Sequence, residues 1–88
     1  MIDEAWYTSF QEKLDQHYVW PTLYIYKFIV PKGKEHELKE LFPLHTATEK
    51  ESKKGNYTSM TFQMMMPSSQ AVIEAYKKIA VVEGIIAL

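Results

Sequence analysis

Apolar positions along this chain recur at two periods, and the change of period marks its elements. Residues 3–17 place Trp6, Tyr7, Phe10 and Leu14 at the spacing of a helical stripe, with Asp3 as N-cap and Pro21 closing the region. Residues 20–30 are β-branched or aromatic almost throughout, which predicts a strand. One of its faces carries Tyr24, Tyr26, Phe28 and Val30; the other carries Leu23, Ile25, Lys27 and Ile29. Because both faces are largely apolar, the strand is expected to be central and covered, at least in part, on both sides. Pro31-Lys32-Gly33 ends it, and Leu38, Leu41 and Phe42 predict a short helix over 34–42, stopped by Pro43.

Residues 45–53 are polar with charges of both signs, as suits an edge strand. Lys54-Gly55-Asn56 supplies residues that tolerate positive φ in a tight hairpin. The next strand, 56–66, alternates: Thr58, Met60, Phe62, Met64 and Met66 share one face, and Tyr57, Ser59, Thr61, Gln63 and Met65 the other. Pro67-Ser68-Ser69 opens a serine-capped helix whose buried stripe reads Val72, Ile73, Tyr76, Ile79 and Ala80. Gly84 breaks that helix and 85–88 forms a short terminal strand. The order is a helix followed by βαββαβ. Two split βαβ units make an α+β, ferredoxin-like sandwich: a four-stranded antiparallel sheet with two helices on one face. The leading amphipathic helix, 1–18, is extra, and its aromatic stripe calls for burial on the sheet's other face, its edge or a partner chain.

With 88 residues there is room for a single domain, 1–88. The chain has no cysteine, which excludes disulfides, thiolate metal sites and a cysteine nucleophile. All ten basic residues are lysine, so the fork that grips carboxylate, phosphate or guanine is missing. The net charge of −1 shows no basic excess of the kind nucleic-acid binders carry. The acidic start Met1-Ile2-Asp3-Glu4 is unlike a signal peptide, and no apolar run reaches the ~20 residues of a membrane span. A cytoplasmic protein with neither nucleic-acid nor membrane partners is the expectation.

Ser52-Lys53-Lys54-Gly55-Asn56-Tyr57-Thr58-Ser59 resembles the Ser-Ser-Lys-Gly-Asn-Tyr signature of the YbeD-like family, small bacterial proteins of unknown function. Trp20-Pro21-Thr22, followed by Tyr26-Lys27, is similar to that family's entry into its first strand, and Tyr76 through Leu88 is similar to its C-terminal pattern. Two departures stand out. Lys53 replaces the second serine, and the segment between first strand and signature is shorter by about two helical turns. The resemblance implies a ferredoxin-like fold of the ACT-like kind. Such domains commonly sense small ligands and often pair through sheets or helices, an analogy of fold that transfers no particular ligand.

Two loops offer cationic handles. Lys54 and the backbone amides of Gly55-Asn56, beside Tyr57, can hold an anion, although turn geometry alone also explains Gly-Asn. Lys32-Gly33-Lys34 precedes a helix N-terminus, where amides and dipole favour negative ligands, but it matches no phosphate-loop spacing. His36-Glu37-Leu38-Lys39-Glu40 has a zincin-like outline with glutamate in place of the second histidine, and reads as a solvated face. His17 and His45 lie near element boundaries without evident partners, no activated catalytic pair can be named, and no cofactor is implied. Met64 and Met66 read as core, leaving Met65 beside Tyr57, Ile25, Ile29 and Lys27 on a surface that invites a partner if the leading helix leaves it open.

The reading that follows is a non-enzymatic module of ACT-like type that binds a small metabolite or a protein and pairs as a homodimer. RNA binding on the sheet, with Tyr26, Phe28 or Tyr57 stacking on bases, is the alternative, and a small enzyme the third.

Overall fold

The computed structural model describes residues 4–88. It contains α1 (Glu4–His17), β1 (Thr22–Pro31), α2 (Glu35–Leu41), β2 (Thr48–Glu51), β3 (Tyr57–Met66), α3 (Ser69–Lys78), a 3-10 turn at Ile79–Val81, and β4 (Ile86–Ala87). The strands form one antiparallel sheet in the order β2-β3-β1-β4, the ferredoxin-like arrangement expected from the alternation of elements. The proposed cap, Asp3, lies outside the described residues.

β1 and β3 pair along their full lengths, from Thr22 opposite Met66 to Pro31 opposite Tyr57. Register and period together turn Tyr26, Phe28, Val30, Met60 and Phe62 to one face, where none retains accessible surface. Leu38 of α2 and Val72 of α3 close over them, and Phe42 meets the Phe62 ring at 5.3 Å. Ser68 caps α3 as predicted: its backbone is extended and its hydroxyl accepts from Ala71 N–H at 3.2 Å.

Three expectations are corrected. First, β1 is covered on one face only: Leu23 and Ile25 are 48% and 58% exposed, because none of the described elements lies over the second face. Second, the stripe of α3 is shifted at its end. Ala80 is exposed and Val82 is buried instead, because the helix gives way to a 3-10 turn after Lys78 and the angular spacing changes. Third, β2 is four residues long, and the hairpin is a five-residue loop, 52–56, in which Gly55 alone takes a positive φ, of 72°.

The leading helix, for which the sheet's other face was one expected position, packs instead beside α3 on the helical side of the sheet, because its aromatic stripe meets Tyr76 there. Phe10 meets Tyr76 with ring centroids 5.7 Å apart, and Lys77 reaches both the Glu4 carboxylate at 3.2 Å and the Tyr7 ring. Only Leu14 of its stripe is buried; Tyr7 and Phe10 are partly covered and Trp6 is 47% exposed. Among the described residues no helix is long and apolar enough to cross a membrane.

Candidate functional site

The two lysine-glycine loops meet at one end of the sheet. Lys32 N–H donates to the Asn56 carbonyl at 2.9 Å, and the Lys32 ammonium pairs with Glu51. Gly33, at φ 99°, turns its N–H onto the Glu35 carboxylate at 2.8 Å, and the Thr58 hydroxyl donates to the other oxygen of that carboxylate at 2.6 Å. Those bonds, the one from Thr58 above all, hold the Glu35 carboxyl below the usual carboxylate range. Lys34 pairs with Glu37 at 3.0 Å, and that hydrogen bond raises its ammonium pKa. The donors that an anion would use at Lys32-Gly33-Lys34 are therefore already bonded within the chain, both ammonium groups and Gly33 N–H to its carboxylates and the Lys32 and Lys34 amides to backbone carbonyls.

In the hairpin, Gly55 N–H donates to the Ser52 carbonyl at 3.0 Å, and Tyr57 N–H to the Ser52 hydroxyl at 3.2 Å. Asn56 contributes its carbonyl to Lys32, so the signature is spent largely on turn geometry. Lys54 makes no ion pair among the described residues, and Tyr57 is 45% exposed on the open face of the sheet. His36 and Glu40 form an exposed pair at 2.6 Å across one turn of α2, and no group of three metal-ligating side chains is gathered among the described residues. Tyr26 and Phe28, weighed from sequence as stacking residues, face the helices and are fully buried; Tyr57 alone of the three is presented to solvent.

A second site was not evident from sequence. A groove of about 790 Å³ runs between α1, the end of α3 and the segment leading into β4. Trp6, Tyr7 and Phe10 form one wall, Ile79, Val82 and Ile85 the other, and Tyr24 and Tyr76 also line it. The hydroxyls of those two tyrosines lie 3.1 Å apart. One donates to the other, which leaves one O–H uncommitted. Burial pushes the pKa of both upward, so both stay neutral donors at physiological pH. The walls are otherwise apolar, and Glu83 lies among the lining residues. Such a groove can take an apolar molecule and orient it through one hydrogen bond to an acceptor.

Sequence carries only a faint signal of this groove. Tyrosines at positions 24, 26 and 76 fall in buried stripes, where each hydroxyl needs a polar partner. Tyr26 finds the Val72 carbonyl at 3.0 Å, and Tyr24 finds Tyr76 across 52 residues of chain. Local pattern gives no access to pairings at that separation.

The opposite face of the sheet is left open by the described residues, and Ile25, Ile29, Lys27, Tyr57 and Met65 share it along its length as the alternation predicted. A shallow apolar depression of about 340 Å³ lies on it between Ile29, Tyr57 and Ile86.

A family model described as "Protein of unknown function (DUF493)" matches residues 16–88. No curated protein and no solved structure matches the chain. The matched stretch holds the whole sheet, α2 and α3, and leaves out nearly all of α1, which supplies one wall of the groove.

Proposed function

The chain belongs to the DUF493 family, the YbeD-like proteins, and we propose that it works as a non-catalytic binding module whose ligand occupies the groove between α1, α3 and the β4 segment. The observation that carries this reading is the part-buried Tyr24–Tyr76 hydroxyl pair lining an otherwise apolar cleft. The fitting ligand is small, mainly apolar or aromatic, and carries a hydrogen-bond acceptor for the uncommitted hydroxyl. Binding rather than turnover is supported in that both tyrosines are pushed away from the pKa range of a general base near neutrality. Because the walls come from α1 on one side and from α3 and its continuation on the other, a ligand bridging them stabilises the docked helix, which gives the module a regulatory output.

The test is a thermal-shift screen against amino acids, nucleotides and acyl or lipoyl compounds, followed by amide-shift mapping of each stabilising compound. The expected result is a compound that raises Tm, perturbs residues 6–10 and 79–85, and loses most of its effect in Tyr76→Phe. If every stabilising compound maps elsewhere, or Tyr76→Phe binds as the parent does, the reading fails.

A further inference from the structure

The open face of the sheet differs in charge from the rest of the molecule. Every described acidic residue lies on a helix, in the turn after residue 81, or at Glu49 and Glu51 of β2. The register sets those two opposite Met60 and Thr58, on the helical side, where they pair with Lys39 and Lys32. The open face carries Lys27, opposite Thr61, and Lys50, opposite Ser59. Neither lysine makes an ion pair among the described residues. Lys53 and Lys54, also without ion pairs there, stand in the hairpin at the end of the same strands. On β1 Lys27 is flanked by Ile25 and Ile29, facing Gln63, Thr61 and Ser59 of β3, and Leu23 pairs with Met65 further along; Leu23, Ile25 and Met65 are 48%, 58% and 65% exposed. A net charge near zero thus hides a sheet face whose charged side chains are all positive.

We propose that this face docks an amphipathic helix of a partner protein that carries acidic residues beside its apolar stripe. Charge complementarity selects the sign, since lysines on an apolar surface attract carboxylates and lay their apolar stems along the contact. The dimensions select the form. Two ten-residue strands side by side present a footprint about 33 Å long and about 10 Å wide, the length and width of a single helix. One helix laid along β1 and β3 fills that footprint and completes a layer on the vacant side of the sheet. A second copy of the chain fits worse on charge. Its own face would bring lysines against lysines with no carboxylate side chain between them. RNA is disfavoured because Tyr57 is the only aromatic residue that these strands present on this face.

The test measures binding of the full chain to a fluorescein-labelled Leu/Glu amphipathic helical peptide of about 18 residues, ~27 Å long. A Leu/Lys peptide of the same pattern and a uridine oligonucleotide serve as comparisons. Micromolar binding of the Leu/Glu peptide alone is expected, with amide shifts at residues 23–29 and 59–65. Lys27→Glu/Lys50→Glu should weaken it at least tenfold, with the milder Lys27→Gln/Lys50→Gln pair intermediate and both melting as the parent does. Equal binding of both peptides would overturn the proposal, as would preference for the oligonucleotide, shifts confined to the groove, or a dimer by light scattering at low micromolar concentration.

Discussion

Leu14→Ala tests how α1 is held, and the structure sets the size of the effect. Leu14 is 4% exposed and is the one buried side chain of a 14-residue helix whose Tyr7 and Phe10 are only partly covered. Removing a buried leucine side chain down to alanine costs about 2–5 kcal/mol. At a helix packed from one side, where neighbours can settle into the gap, the lower end applies, about 2–3 kcal/mol. An isolated helix of this length is marginal in water, so α1 unfolds when it undocks. The loss therefore appears as local opening. At about 1.4 kcal/mol per decade, amide exchange over residues 8–17 should accelerate by ~30–150-fold. Exchange in β1 and β3, joined over ten residue pairs, should hold close to the parent rate. Hydrogen exchange read by mass spectrometry or NMR resolves the two. Acceleration of both regions together would show that α1 belongs to the cooperative unit of the sheet, and no acceleration of α1 would show that Leu14 is not its anchor.

Other consequences are smaller in scope. Tyr26→Phe removes a hydroxyl that donates to the Val72 carbonyl from a fully buried position, so it should cost about 1 kcal/mol. For a domain of this size that lowers Tm by roughly 4–8 °C, which calorimetry reads directly. Glu35 has a depressed pKa in the folded state, so its contribution is complete above the unfolded value of about 4.3. That contribution is lost as pH falls through the lower folded value. Denaturant midpoints measured from pH 6 down to 2.5 should therefore drop less steeply in Glu35→Gln than in the parent. Gly84→Ala should destabilise more than Gly55→Ala, although both glycines have positive φ. A Cβ at position 84 would meet the Pro31 ring at 2.7 Å, whereas one at 55 meets nothing; equal urea midpoints would contradict this.

What was legible in the sequence is what short-range periodicity carries. The alternation over Tyr57–Met66 assigns Met64 and Met66 to the core and Met65 to solvent, and the structure places them so, with Met65 65% exposed. Serine before α3 and glycine before β4 mark boundaries because capping and positive φ are local demands. β1 was misread on one side for a physical reason: an apolar second face looks the same whether the chain covers it or leaves it for another molecule. The stripe of α1 misleads in a related way. Trp6, Tyr7 and Phe10 have the spacing of a core helix but line a groove, since a groove wall and a core face share one pattern. The bonding at Glu35 depends on Thr58, 23 residues away, so the lysine-glycine loop looked like an anion site while its anion was already part of the chain.

The absence of arginine gains meaning from this geometry. Arginine on the open face would impose a planar, bidentate fit on whatever carboxylate approached. Lysine imposes none, because its ammonium is a point charge on a flexible, apolar stem. Lys27 sits between Ile25 and Ile29 on β1, so its stem adds to the aliphatic surface while its head can follow a carboxylate through several positions. Met65 brings a second adaptable side chain to the same surface. The groove across the sheet is built oppositely, from tyrosine rings on β1 and α3 with a hydrogen bond that fixes two hydroxyls. Tyr24 and Ile25 are consecutive residues, yet strand alternation sends one to each site. On the two proposals, one side of the sheet selects by fixed shape and a directed donor. The other selects by charge sign and apolarity, and would so tolerate variation in the sequence of a helix docked there.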